Sequence, residues 1–298
     1  MKSESNEPPT VPPKLRDEKV SLYRLSKPIG DALFLSTVAH ELRRRSPSCE
    51  IEVHTHWPRL FYNNPDIVAA HSIREPEVPP GHEIVYENPW PTQRGRHVLR
   101  IICDHLGING AEIEPRTYYY PTEEERQVAR DITPKNGRPL VVTHPFSGFF
   151  APKTKQWSFS NWKRLLELIP DDIETMRFYN PDEPATPCER SFHRDIETTD
   201  LRVMAALLER ADAFIGHDSG LAHLATALGI PAVVIFTGYV PPDVFGYDQN
   251  INLAPDLPYI PCWQADGCEP CRGEICTRSV SPERALEALL TTLKRNKK

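Results

Sequence analysis

No stretch of this chain approaches 18 consecutive apolar residues, so no membrane-crossing helix is expected. The opening segment, MKSESNEPPTVPPKLRDEK, has no apolar core. It reads as neither a signal peptide nor part of a folded domain, and residues 1–18 are expected to form a disordered tail. A cytoplasmic location follows as the default, with peripheral contact at the inner face of a membrane left open. A surplus of positive charge is also missing. The 35 Lys and Arg stand against 41 Asp and Glu, a formal net charge of −6, which excludes a chain built as a whole for nucleic acid. Short tandem repeats are absent.

What is there suits a globular protein. The 298 residues are 26% charged and 39% hydrophobic, enough for two domains with sizeable cores. The 31 prolines imply many stiff or turn-like connections. Of the seven cysteines, Cys49, Cys103 and Cys188 are scattered, whereas Cys262, Cys268, Cys271 and Cys276 cluster. In a reducing compartment such a cluster points to metal or free thiols before disulfides.

Along the chain, Val20–Leu25 reads as a buried strand. Leu35, Val38, Ala39 and Leu42 then fall on one helix face, and Ile51–His54 reads as the next strand. A β-α-β unit of this kind builds a parallel sheet. The pattern weakens from Arg59 to Pro121, and a helix is expected over Pro121–Asp131. The Asn136-Gly137 turn signal places a domain boundary there, giving domains 19–136 and 137–298. The second half restarts the alternation. It has a strand at Pro139–Thr143, a helix capped by Ser160, a strand at Met176–Tyr179 and a helix carrying Leu201, Met204, Ala205 and Leu208. Strands at Ala213–Gly216 and Ala232–Phe236 flank a further helix. A closing helix is capped by Ser281 and bears Leu286, Leu289, Leu290 and Leu293. The fold class is α/β, with two facing Rossmann-like domains and a ligand cleft between them.

The most informative stretch is FIGHDSGLAHLATALGIPAVVIF, Phe214–Phe236. A strand ends at a polar tip and a helix starts at once. Leu221, Leu224, Ala225 and Leu228 are placed inward, Gly229 stops the helix, and Pro231 precedes the next strand. The small residues Ser219 and Gly220 leave first-turn amides open, which with the helix dipole makes an anion site suited to a nucleotide diphosphate. His223 adds a donor in the first turn. On spacing alone a plainer account stands beside this one, with Asp218 as a helix cap and His223 as a packed polar residue.

The run HDSGLAHLATALGIPAVVIFTG resembles the signature of glycosyltransferase family 9, the ADP-heptose:lipopolysaccharide heptosyltransferases. There an Asp-(Ser/Thr)-Gly-x-x-His motif leads into an Ala/Leu-rich helix, a Gly-x-Pro turn and a strand. Upstream, LRVMAALLERADAFIG and HPFSGFFAPKTKQWSFSNWKRLLEL are similar to the family as well. So are KPIGDALFLSTVAHELRRRSPSCEIEV at the N-terminus, FYNNPDI after it, and CTRSVSPERALEALL near the end. The resemblance covers most of Val20–Leu293. It implies a GT-B fold and an inverting transfer from a nucleotide-activated sugar, ADP-heptose first among them. The acceptor it implies is a hydroxyl of a lipopolysaccharide core or related surface glycan or glycolipid.

The residue roles follow from that resemblance. Asp31, after Gly30 in the Gly-Asp motif, is the base that takes the acceptor proton; the alternative is an Asp that caps the first helix. Lys155, two residues before Trp157, meets the leaving diphosphate, with Lys153 its neighbour and competitor. Asp218, Ser219, Gly220, Leu221 and His223 cradle the diphosphate. Thr143, His144 and Ser147 line the donor pocket from a strand end. Asp182 or Glu183 accepts from ribose or base, unless NPDEPATP is simply an exposed loop. With amides and a lysine at the diphosphate, no metal cofactor is required for catalysis. Arg43, Arg44 and Arg45, and Arg94, Arg96 and Arg100, are basic runs that either meet a phosphorylated acceptor or form solvated faces; Gly30, Arg43 and Arg94 stand for the acceptor side.

Cys268 and Cys271 form a C-x2-C pair, and with Cys262 and Cys276 supply four thiolates for a structural zinc or iron, the alternative being packed or free thiols. The N-terminal half is shorter than the family pattern, so the acceptor is the least constrained inference. Two other functions stay open: a transferase of the same family with another donor or a protein acceptor, and a non-catalytic nucleotide-sugar-binding protein.

Overall fold

The computed structural model describes residues 19–86, 95–134, 136–146, 153–179, 193–197, 200–258, 260–262 and 275–296. It divides into two compact units, Met1–Pro115 and Arg116–Lys298. The division falls earlier than the Asn136-Gly137 turn. The reason is a helix ahead of that turn, α3 (Glu123–Ile132), which packs on α5 (Leu201–Glu209) of the second unit. Arg126 Nε lies 2.7 Å from Glu209 Oε2, and buried Arg202 pairs with Glu125. Composition placed the boundary at the strongest turn, but the partner of a short helix is not readable from a turn.

The first unit holds β1 (Lys19–Tyr23), α1 (Ile29–Arg45), β2 (Glu50–Thr55), β3 (Ala69–Ser72), β4 (His82–Glu83) and α2 (Val98–His105). Its four strands are parallel in the order β3-β2-β1-β4. Alternation is strict: Val20, Leu22, Ile51 and Val53 are buried, while Ser21, Tyr23, Glu52 and His54 lie on the more open face. α1 presents Leu35, Val38, Ala39 and Leu42 to the core, with Asp31 in its first turn and Arg43–Arg45 in its last, charges matched to the helix dipole.

The second unit has six parallel strands: β5 (Leu140–His144), β6 (Glu174–Tyr179), β7 (His193–Glu197), β8 (Ala213–His217), β9 (Ala232–Ile235) and β10 (Ile251–Leu253). Their spatial order is β10-β9-β8-β5-β6-β7. Counted from β5, that is the doubly wound order of a dinucleotide-binding sheet, and its direction of winding reverses between β5 and β8. On one face Val141, Ala213, Ile215, Val233 and Ile235 pack with Trp162, Leu165 and Leu166 of α4 (Phe159–Leu168) and Ala285, Leu289 and Leu293 of α9 (Pro282–Asn296). On the other, α6 (Gly220–Ala227) packs against β8, β9 and α5. α7 (Pro242–Phe245) and α8 (Ile275–Arg278) are single turns. The cap of α4 is Ser158, not Ser160: Ser158 Oγ accepts from Asn161 N at 3.3 Å, and Ser160 lies inside the helix. No helix among the described residues is long and apolar enough to cross a membrane.

Candidate active site

The C-terminal tips of β5 and β8 flank the point where the second sheet reverses its winding, the place at which open α/β sheets hold ligands. Gly216 is what lets these tips approach. It pairs with His144, and a Cβ there would come within 2.5 Å of the Phe214 ring and 3.0 Å of His144 Cβ. Past Gly216 the chain runs His217, Asp218, Ser219 and enters α6. Ser219, not Asp218, is the cap: its Oγ accepts from Ala222 N at 3.4 Å, and its carbonyl from His223 N at 3.1 Å. The Gly220 and Leu221 amides have no acceptor within the helix, as first-turn amides do not. Leu221 is half-buried; the inward face is Leu224 and Ala225.

Because Ser219 takes the capping role, the Asp218 carboxylate is released for other partners. Lys155 Nζ lies 2.8 Å from Oδ2, an ion pair whose geometry is not that of an aligned hydrogen bond. His223 Nε2 lies 3.7 Å from Oδ1. The Asp218 side chain is 4% exposed and that of Lys155 24%. The carboxylate is therefore fixed in the floor, while the lysine has room to move. His223 is held from behind by the Tyr247 hydroxyl, 2.7 Å from Nδ1, and Thr117 Oγ donates to the His223 carbonyl at 2.9 Å. Burial raises the Tyr247 phenol far above its ordinary value, so it stays protonated.

The turn bearing Lys155 (Lys153–Lys155) is pinned by its neighbours. Thr237 Oγ1 donates to the Thr154 carbonyl. Trp157 N donates to His217 Nε2 at 2.7 Å, and the Trp162 indole N–H points at the same nitrogen from 3.3 Å. Two donors on Nε2 require a neutral imidazole with its proton on Nδ1. Burial, with His144 and Lys155 close by, pushes His217 down to about 3. His144 keeps some exposure at one edge, yet burial of its imidazole lowers it to about 4. The Lys155 turn thus rests on two tryptophans and one neutral histidine.

In the first unit, Gly30 is buried in the opening turn of α1, and Asp31 follows it. Asp31 does not cap α1. Its Oδ2 takes Arg24 Nη2 at 2.8 Å and the Ser26 hydroxyl, and Tyr86 OH lies 3.2 Å from Oδ1. Arg24 is 2% exposed, donates from Nη1 to the Ile84 carbonyl at 3.0 Å, and stacks under the Tyr86 ring at 4.9 Å. The carboxylate is held in one orientation with its outer edge toward solvent.

Other residues singled out from the sequence fall elsewhere. Thr143 is buried, and its hydroxyl points at the Met176 carbonyl of β6, 3.5 Å away. Arg43 sits at the far end of α1, about 18 Å of helix from Asp31. There its Nη1 donates to the carbonyls of Pro47 (2.7 Å) and Cys49 (2.8 Å), so it closes the α1–β2 turn. Cys262 and Cys276 both meet Gly238: Cys262 N donates to the Gly238 carbonyl at 2.7 Å, and a Cβ on Gly238 would touch Cys276 Sγ. Arg94, Ser147, Asp182, Glu183, Cys268 and Cys271 lie outside the described residues. A cavity lined by Thr133, Asn136, Glu174 and Arg210 opens at the N-terminal ends of β5 and β6, the opposite end of the strands, where Arg210 is bonded to Thr133 and Asn136 to Glu174, leaving little to receive a ligand.

Arg24, Thr117, Trp157, Trp162, His217 and Tyr247 were not singled out from sequence. Two of them had a signal there: His217 stands next to Asp218 in the signature, and Trp157 is the landmark that places Lys155.

This geometry meets three comparisons. E. coli ADP-heptose LPS heptosyltransferase II shares the fold at a TM-score of 0.69 and 15% identity, over 94% of this chain and all of that one. The iron-containing dodecameric glycosyltransferase TibC from enterotoxigenic E. coli gives 0.67 and 17%, over 96% of this chain and 78% of that one. TibC in complex with ADP-D-beta-D-heptose gives 0.68 and 16%, over 93% and 77%. No curated protein matches by sequence. The model of glycosyltransferase family 9 (heptosyltransferase) matches residues 91–273, more than half of the chain. A match over that span, on a chain whose second sheet is doubly wound and parallel, shows that this protein belongs to glycosyltransferase family 9.

Proposed function

We propose that this transferase moves a heptose or related sugar, with inversion, from an ADP-activated donor to a hydroxyl of a lipopolysaccharide core or related surface glycan. The observation that carries the reading is Lys155 poised beside Asp218 at the start of α6. An entering diphosphate finds the free Gly220 and Leu221 amides, the helix dipole, and a partly exposed lysine able to turn from Asp218 to phosphate. The binding of ADP-heptose or ADP by proteins of similar fold supports the choice of nucleotide.

In the reaction, the acceptor oxygen attacks the anomeric carbon. Its proton passes to Asp31, the bond from that carbon to the diphosphate breaks, and the nucleotide diphosphate leaves with its growing charge met by Lys155 and the α6 amides. Arg24, Ser26 and Tyr86 orient Asp31 for that transfer. His223, backed by Tyr247, fixes the side of Asp218 away from Lys155.

The test is thermal stability during titration with ADP-heptose and with other ADP-, UDP-, GDP- and CDP-sugars. A ligand bound only by the folded state adds roughly 2.7 kcal/mol at 100 times its Kd. A shift with ADP-heptose that is clearly reduced in Lys155→Ala is the expected result. A shift with a different nucleotide sugar moves the function to another donor, and none with any nucleotide sugar contradicts the proposal.

A second proposal concerns the cysteine cluster. Four thiolates suit zinc or iron, Cys262 and Cys276 both meet Gly238, and a fold relative is iron-containing. The ion's role would be structural, linking Cys262 to α8 through Cys276. Metal analysis of protein purified without chelator checks it; less than about a tenth of an equivalent removes it.

A further inference from the structure

The open face of the first sheet carries a group of side chains that transfer chemistry does not use. β2 and β3 pair in parallel register, with His54 opposite His71 and Glu52 opposite Ala69. Strand alternation sends Ile51, Val53 and Thr55 into the core and Glu52 and His54 to the other face. The two imidazoles stack with centroids 4.8 Å apart and planes 29° from parallel. Glu52 Oε2 lies 4.0 Å from His71 Nε2. One donor atom from each of the three residues lies within 4.8 Å of the other two.

We propose that Glu52, His54 and His71 form a binding site for a late first-row divalent transition ion, zinc foremost, which ties the edge strand β3 to β2. The donor set decides the ion class: two imidazoles and one carboxylate suit zinc, copper or nickel, whereas magnesium and calcium want oxygen alone. Tetrahedral zinc with bonds of about 2.0–2.2 Å needs donors about 3.3–3.5 Å apart. The present spread closes to that by side-chain rotation of roughly 1 Å. Such rotation is open to these residues: His71 is 46% exposed, Glu52 22%, and the neighbour across from Glu52 is only an alanine. A fourth position is left for water, which makes this an accessible site of moderate affinity. Lys19 Nζ, 2.8 Å from Glu52 Oε1, holds one carboxylate oxygen and turns the other toward His71.

The experiment is calorimetric titration of untagged full-length protein with zinc chloride, wild type against a His54→Ala/His71→Ala variant. The cysteines are intact in both, so thiolate sites cancel. The wild type is expected to bind one equivalent more than the variant. His71→Ala alone is expected to weaken that equivalent at least tenfold. Equal stoichiometry and affinity in wild type and double variant overturn the proposal. Should the double variant fail to fold, imidazole carbon–proton resonances of the wild type decide the matter. Zinc must perturb His54 and His71 together in step with one equivalent, and unmoved resonances at saturation overturn the site.

Discussion

Asp31 and Asp218 both lie where a strand hands over to a helix, and each is paired with a cation at 2.8 Å, yet the two pairs are built to opposite ends. At Asp31 the cation is the more buried member: Arg24 is 2% exposed, Asp31 14%. At Asp218 it is the more open: Lys155 is 24% exposed, Asp218 4%. A guanidinium locked under Tyr86 and bonded to the Ile84 carbonyl cannot leave, so it fixes the carboxylate. A lysine on a flexible stem over a buried carboxylate can exchange that partner for a phosphate. In the proposed reaction, the first arrangement would keep the carboxylate still for proton transfer and the second would keep a positive charge ready for the diphosphate.

The largest expected effect separates the two roles outright. Asp31→Asn removes the proton acceptor while keeping the shape, so turnover should fall by about a hundred- to ten-thousand-fold with donor affinity nearly unchanged. Steady-state kinetics beside calorimetric donor binding measure both, and wild-type turnover in this variant would end the assignment.

Next is the mobile cation. Lys155→Ala should weaken donor binding by roughly ten- to a hundredfold, the size of a lost charge-assisted contact of about 1.5–3 kcal/mol. Lys153→Ala should leave it within about twofold. Equal dissociation constants for the two variants would show that Lys155 has no special place at the diphosphate.

A smaller effect tests whether Arg24 acts through Asp31. Arg24→Lys keeps the charge but loses the fork that spans Ser26, Asp31 and Ile84. kcat should drop about tenfold with donor Kd unmoved, because the carboxylate is displaced and not removed. An equal loss in Kd and kcat would point to a general structural defect.

A separate effect is on stability and belongs to the second unit. His144 and His217 are neutral in the fold, with values pushed to about 4 and about 3 from 6.5. Below pH 6.5 the unfolded chain takes up protons that the folded chain refuses. The stability these histidines contribute is therefore full above pH 6.5 and is lost as pH falls toward 4 and then 3. Denaturant midpoints across that range measure it. His217→Phe, which takes no proton, should flatten the slope, and an unchanged slope would mean that other groups set it.

The two units also differ in how much of them the sequence revealed. The β8–α6 signature was legible because chain neighbours do the work: strand tip, capping serine and helix start follow one another from Ala213 to Ala227. The plainer alternative, Asp218 as the helix cap, is the part that fell. Ser219 caps the helix, and that frees Asp218 for Lys155, a contact 63 positions apart that periodicity does not encode. Tyr247 behind His223 and the two tryptophans on His217 escaped for the same reason: each meets its partner through the fold and not along a motif. In the first unit β1, α1 and β2 were readable from buried alternation and helical spacing. β3 (AAHS) and the two-residue β4 carry no apolar run, and they exist only because β2 and β1 offer them edges. Arg43 is conspicuous as one of three arginines in a row; its bonds to two carbonyls of the following turn are not written in that run.

The measurement that bears most directly on the contrast is calorimetric binding of ADP-heptose to wild type, Asp31→Asn and Lys155→Ala under one set of conditions, each followed by a turnover assay. Asp31→Asn is predicted to bind like wild type and turn over almost nothing, while Lys155→Ala binds clearly more weakly. Loss of binding in Asp31→Asn together with retained binding in Lys155→Ala would contradict the account, because the fixed carboxylate would then be the donor contact and the mobile lysine a bystander.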